Sequence, residues 1–277
     1  MSEDPIPNRH EVTLNWFRTQ LDINRSIGKG WDVELQLPYD VKSQSVKYLT
    51  PEGNEFDNPE GDLHHRDETL QGMGDIKIFF HYRPTNVLRE EDIVQLGFGL
   101  SAPTGKIEED PYELGDLGLK HQHIQFGTGT VDPIFRLGYS TPVGKWNLSL
   151  SAGGQIPLYE NRKHFKSPML LDFSAGAHIG LTESVGLHAR YVLMYQNRGH
   201  WHDEIDPNTG FLLHGLSVST PIQVAEGILL TPRAFFTLDV DTKGVDDTFR
   251  MDVLVGIGLE INLDKENPPE IEFPEDP

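Results

Sequence analysis

The 277-residue sequence predicts an all-β protein, a single antiparallel up-and-down transmembrane β-barrel of about 12 strands with short periplasmic turns and long extracellular loops. Three observations predict it. Segment after segment alternates apolar and polar residues with a period of two, which puts one kind on each face of a strand. The links between these segments are alternately short and long. No apolar run approaches the ~18 residues that a membrane-spanning helix needs, so strands must make any crossing.

The plainest stretch runs from Gly144 to Gln196. Trp146, Leu148, Leu150 and Ala152 share one parity, and Asn147, Ser149, Ser151 and Gly153 the other. Leu171, Phe173, Ala175, Ala177 and Ile179 then alternate with Asp172, Ser174, Gly176, His178 and Gly180. After Leu181–Ser184, Val185, Leu187, Ala189, Tyr191, Leu193 and Tyr195 alternate with Gly186, His188 and Arg190, while Val192 and Met194 soften the polar parity.

Further strands are expected on either side. From Val12 to Ile27 the apolar residues change parity, which predicts a bulge near Phe17 to Thr19. Gly28-Lys-Gly30 reads as a tight turn into a strand from Trp31 to Tyr39, with aromatics at its ends and Asp32, Glu34 and Gln36 on its polar face. A polar loop is expected from Asp40 to Gln71. Next come strands at Gly74 to Arg83 and Ile93 to Ala102, and one from His121 to Thr141 broken at Gly127-Thr-Gly129. The last three are expected at Gly210 to Thr220, Gly227 to Asp239 and Phe249 to Leu263. Residues 1–10 read as an irregular leader, 11–263 as the barrel, and 264–277 as an acidic, proline-rich, disordered tail.

These segments number about eleven, and single-chain bacterial barrels have an even number, so one more is expected. Its place is residues 1–10, residues 119–127, or a strand lost with a leader. Alternation does not say which face is inside. Width does, because a closed barrel well above eight strands is too wide to fill with side chains, which places the apolar face outward in lipid. A soluble two-sheet sandwich, or a barrel re-engineered for water with no transport role, is the alternative.

Composition narrows function. There is no cysteine, which excludes thiol nucleophiles, disulfides and thiolate metal sites. A formal net charge of -20 disfavours nucleic acid and draws cations toward any acidic mouth. Met1-Ser-Glu-Asp-Pro-Ile-Pro7 has neither a basic nor an apolar signal region, so an export signal is expected to lie outside it.

Several segments, taken in order, resemble the outer-membrane barrels of the MetA-pathway phenol-degradation family, also described as transporters. They are Leu35-Gln-Leu-Pro-Tyr39, Gly72-Met-Gly-Asp75 with the following Tyr82-Arg83, and Gly99-Leu-Ser-Ala-Pro-Thr-Gly-Lys106. His121-Gln-His-Ile-Gln-Phe-Gly-Thr-Gly-Thr-Val-Asp-Pro133 and Gly138-Tyr-Ser140 complete the set. The resemblance implies an outer-membrane location, contact with the lipid bilayer, and passive passage of small solutes, aromatic or hydrophobic ones among them. It implies no reaction and no cofactor. Such barrels commonly end on an aromatic residue, whereas this chain runs on through the acidic tail.

The expected lumen residues are Asp32, Glu34, Asp75, Lys77, His81, Arg83, Arg136, Asp172, His178, His188, Arg190 and Arg233, with Arg250 and Asp252 on the same parity. Charges of both signs there either set a field for solutes or brace the wall by pairing. His121 and His123, His200 and His202, and His64-His65 are pairs that suit Zn or Cu, an alternative role in metal handling. No P-loop, dinucleotide fingerprint or nucleophile elbow is present, and His188-Ala-Arg190 lacks the Ser-Asn-Gly that follows the histidine of the twelve-stranded outer-membrane phospholipase, so the chain is expected not to be an enzyme.

Overall fold

A computed structural model describes residues 9–57, 66–242 and 250–263. The strands are β1 (Arg9–Gly28), β2 (Trp31–Leu49), β3 (Glu68–Met73), β4 (Ile76–Tyr82), β5 (Ile93–Ala102), β6 (Asp132–Val143), β7 (Trp146–Gln155) and β8 (Phe165–Lys166). There follow β9 (Leu170–Gly180), β10 (Gly186–Gln196), β11 (His200–Trp201), β12 (Glu204–Ile205), β13 (Phe211–Ser219), β14 (Ile222–Ala225), β15 (Ile228–Asp241) and β16 (Val253–Ile261). Among the described residues one short helix, α1, spans Pro111–Asp116.

The wall is a strongly curled antiparallel sheet in the order β1-β2-β4-β5-β6-β7-β9-β10-β13-β15-β16. Each of these strands pairs with the next along the chain, the up-and-down arrangement that local hairpins dictate. β3 doubles back on the far half of β2, and β14 carries the line of β13 past Pro221 along the same edge of β15. β8, β11 and β12 form a separate small sheet among the long loops. Eleven wall strands result among the described residues, and no ladder joins β1 to β16. Asp22 in β1 and Arg233 in β15 nevertheless attract one another, so the two margins of the sheet face each other across the curl.

Burial settles which face is inside. In β5, Gln95 and Ser101 are 7% and 0% exposed, whereas Leu96, Phe98 and Leu100 are 44%, 59% and 48% exposed. β2 repeats this, with Glu34 and Gln36 buried and Trp31 and Tyr39 exposed at the ends of the apolar row. A fold that buries polar side chains and displays leucine and phenylalanine is inverted relative to a water-soluble domain.

Four expectations are corrected. The β1–β2 ladder runs unbroken from Arg9 to Ser26, so there is no bulge near Phe17; the only shift lies between Ser26 and Gly28. The parity change is a real change of face. Trp16 pairs with Lys42 on the inner side, where its Nε1 donates to Asp40 Oδ1 at 2.8 Å, while Leu21 and Ile23 pair with the outward Leu37 and Leu35. The loop expected at 40–71 is largely strand, because β2 continues to Leu49 and β3 pairs with it. The strand expected from His121 begins only at Asp132, and residues 119–131 are loop, so they do not supply a twelfth strand. The link expected at Pro221 to Glu226 is mostly β14, with the turn at Glu226-Gly227. Residues 1–8, 264–277 and His64-His65 lie outside the described residues.

The short turns are held by side chains. Gly28, Lys29 and Gly30 all have positive φ, and Arg83 N donates to Gly30 O at 2.8 Å, tying this turn to the end of β4. Between β4 and β5, the buried Asp92 carboxylate accepts from Val87 N, Leu88 N and Arg89 N at 2.7, 2.8 and 2.9 Å. Burial alone would raise its pKa, but these amides together hold the carboxyl below its ordinary value of 3.8. The stabilisation is therefore present above pH 3.8 and lost as pH falls through the lower folded value. Thermal melts are expected to show Asp92→Ala less stable than wild type at pH 7, with the gap closing in strong acid. A gap independent of pH would assign the loss to packing instead.

Candidate functional site: the inner face and its mouth

Glycine decides how charges sit on the inner face. One cross-strand row reads Asp32, His81, Gly97, Arg136, Gly153, Asp172 from β2 to β9. A Cβ on Gly97 would lie 2.8 Å from His81 Nδ1 and 3.2 Å from Arg136 Cβ, and one on Gly153 would lie 2.6 Å from Asp172 Oδ1. Phe79 lies over Gly99, Arg190 over Gly176 and Arg233 over Gly256 in the same manner. Each long side chain thus folds flat over the neighbouring strand instead of projecting across the interior.

Lying flat, the charges pair along the wall. Glu34 accepts from His81 Nε2 at 2.8 Å, from Gln36 Nε2 at 2.6 Å and from Arg136 Nη1 at 3.2 Å. His81 Nδ1 in turn meets Gln95 Nε2 at 3.3 Å, which fits a ring that donates at Nε2 and accepts at Nδ1. The Arg136 guanidinium stacks 3.9 Å from the Phe79 ring centroid. Lys77 feels Asp75 and Asp132, and Asp172 feels Arg136 and Lys77. Arg83 and Asp32 approach to 3.7 Å at the short-turn end. His178 and His188 are direct cross-strand partners with ring centroids 6.2 Å apart, beside Arg190. Arg250 and Asp252 stand apart from this face: they precede β16, are highly exposed, and bond to each other at 2.6 Å.

The mouth at the long-loop end is crossed by a strap, residues 103–131, containing α1. Its two ends are tied to Asp75 at the foot of β4. The carboxylate accepts from Gly105 N at 2.8 Å, Thr128 N at 2.7 Å and Thr128 Oγ1 at 3.1 Å. Thr104 Oγ1 receives Ile76 N and donates to Gly74 O. Gly105 and Gly127 touch so closely that a Cβ on Gly105 would lie 2.7 Å from Gly127 Cα, and one on Gly127 would collide with Asp75 Oδ1. Asp132, fully buried, accepts from Thr130 Oγ1 at 2.5 Å and Gln155 Nε2 at 2.8 Å.

From this knot the strap reaches both sides of the mouth. On one side Lys42 Nζ donates to Gln125 O at 2.8 Å and covers the Phe126 ring, and Arg66 Nη1 donates to His121 O at 3.2 Å. On the other, Lys163 Nζ donates to Ile107 O and pairs with Glu109 at 2.7 Å. Tyr112 Oη donates to Asp206 Oδ1 at 2.9 Å and accepts from Asn208 Nδ2 at 3.1 Å, and burial together with the Asp206 charge raises the Tyr112 pKa. A polar cavity of about 190 Å³ opens on the Arg66 side of the strap, lined by Arg66, Glu68, Lys106, Glu108, Lys120 and Gln122 among others.

The histidine pairs separate. His121 and His123 contact edge to face at 5.4 Å, with His121 Nδ1 donating to Leu119 O. His200 lies in β11. His202 stacks on His164 at 4.3 Å and faces Asp110 and Glu113 of the strap.

No protein-family model matches the chain, and no curated protein matches it. Among solved structures it is similar to the COG4313 outer membrane channel from Pseudomonas putida F1, with a TM-score of 0.56 at 13% identity over 83% of this chain and 78% of that one. The two share a fold. The likeness extends over most of both chains, so the curled up-and-down sheet is an architecture found in outer-membrane barrels.

Parity in the sequence separates charged rows from apolar ones, but it does not reveal the strap. Gly127-Thr-Gly129 reads in the sequence as a break within a strand, and only the fold shows that three separated segments meet on one carboxylate. Asp75→Ala strands its donors, at a cost of about 2 kcal/mol, and is expected to speed tryptic cleavage at Lys106 or Lys120 about thirty-fold with the sheet's circular dichroism unchanged. Unchanged cleavage would mean that the strap is held elsewhere.

Proposed function

We propose that the protein is a passive outer-membrane channel for small solutes, with a narrow polar interior and a strap across its extracellular mouth. The observation that carries this is the inverted burial, with a continuous apolar exterior around charged and glycine-rich inner rows. Lipid is the surrounding that makes such an exterior favourable, and only a closed or nearly closed sheet satisfies its backbone there. From Trp31 to Tyr39 the rise at about 3.4 Å per residue and a tilt near 45° spans roughly 20 Å, close to the apolar band of such barrels. Trp31 stacks on Tyr82 at 4.9 Å, and Trp146 is exposed at the same short-turn end, as aromatics are at a membrane boundary.

The wall-hugging charges fit passage better than catalysis. They carry both signs and several are paired, as Glu34 is with Arg136 and His81, so the interior offers weak, exchangeable contacts to a solute. The order of motifs that resemble those of the MetA-pathway phenol-degradation barrels favours small aromatic or hydrophobic solutes as cargo. The similarity to a channel supports transport over an enzymatic role.

Two measurements test this reading. Purified protein in planar bilayers is expected to give discrete conductance, and replacing residues 108–122 by a short Gly-Ser linker is expected to raise it; a folded protein that passes nothing would sink the proposal. Phe98→Arg, at the exposed middle of β5, is expected to cost about 2–4 kcal/mol in lipid vesicles. A neutral effect there would place that face in water.

A further inference from the structure

We infer that Asp110, Glu113 and His202 form a binding site for a divalent transition-metal ion of the zinc class, which clips the strap to the loop between β10 and β13. One ligand atom from each residue lies within 4.8 Å of the others. His202 Nε2 is 3.4 Å from Glu113 Oε1 and 3.9 Å from Asp110 Oδ2.

These separations suit a shared ion better than direct hydrogen bonds. The same protein shows what a direct imidazole–carboxylate bond looks like, with His81 Nε2 2.8 Å from Glu34 Oε2. Donors about 2.0–2.2 Å from a tetrahedral zinc stand roughly 3.4 Å from one another. The His202–Glu113 spacing equals that edge, and the His202–Asp110 spacing exceeds it by only a small side-chain adjustment.

Each donor is also oriented from outside the site. Asp110 Oδ1 accepts from Tyr112 N at 2.8 Å and Glu113 N at 3.3 Å, which turns Oδ2 toward His202. The His164 ring stacks on His202 at an interplanar angle of 19°, and His202 N donates to His164 O at 2.8 Å, fixing the imidazole plane. His202 itself holds a left-handed φ of 51°, a conformation that costs energy in a residue other than glycine. His202 and Glu113 are exposed while Asp110 is buried, so an ion reaches the site from solvent, and water takes the remaining coordination position. Imidazole with two carboxylates favours zinc-class ions over Ca²⁺ and Mg²⁺, which prefer an all-oxygen shell.

The site draws on one of the expected histidines, His202, and joins it to two carboxylates that no histidine pattern reveals. His121, His123 and His200 take no part in it. The inference is independent of solute passage, since an ion clip needs only the strap and its neighbouring loop.

Calorimetric titration of the refolded full chain with Zn²⁺ tests it, with folding checked by circular dichroism. Wild type is expected to bind one equivalent, His202→Ala and Glu113→Gln to weaken binding by at least about tenfold, and His121→Ala/His123→Ala to leave it unchanged. Mg²⁺ is expected to compete poorly. A flat wild-type titration, or binding that survives His202→Ala but falls in the His121/His123 variant, overturns the site. Conductance is a separate readout, so failure of the clip and failure of the channel are distinguishable.

Discussion

Much of the inner face depends on one steric arrangement: several of its long polar side chains lie over a glycine on the next strand. His81 over Gly97, Asp172 over Gly153, Arg190 over Gly176 and Arg233 over Gly256 all show it. Without a Cβ on the neighbour, the side chain lies down, meets its partner along the wall and leaves the centre less crowded. A wall built only of larger residues would force the same charges inward and fill the interior. Some of the chain's 27 glycines therefore have a specific use within the wall.

That arrangement bears on the large negative charge of the chain. Glu34 is matched by Arg136 and His81, so the inner rows carry both signs and join some of them along the wall. The strap brings further carboxylates to the mouth, of which Asp110 is committed to the backbone donors Tyr112 N and Glu113 N. Glu113 is exposed at this rim.

Much of the wall was legible because period-two alternation is a local property. Phe135, Leu137 and Tyr139, or the row from Trp146 to Leu150, are outward as their parity requires. The failures have physical causes. In β1, parity changed because Trp16 belongs to a stretch whose inner side carries Asp40 and Lys42, whereas Leu21 and Ile23 belong to the apolar exterior; a change of surroundings along one straight strand looks the same in sequence as a bulge. Residues 40–49 looked like loop because both faces there carry polar residues, which removes the alternation without removing the ladder. The strap was invisible for a different reason. Asp75, Gly105 and Thr128 are far apart in sequence, and so are Glu113 and His202, and nothing local marks residues that meet only after the wall has formed.

The odd number of described wall strands has a bearing on assembly. Because neighbours alternate in direction, β1 and β16 run the same way, while every existing seam of the wall is antiparallel. Each of those seams joins neighbours in the wall order and forms as a local hairpin or a slightly longer excursion. Bringing the two margins together instead closes almost the whole chain, some twenty-fold longer than a hairpin loop, yet the logarithmic dependence on length adds only about 3 kcal/mol. The margin between first and last strands is thus slow to find but cheap to hold, which makes it the last step of folding and the first place where the wall would part.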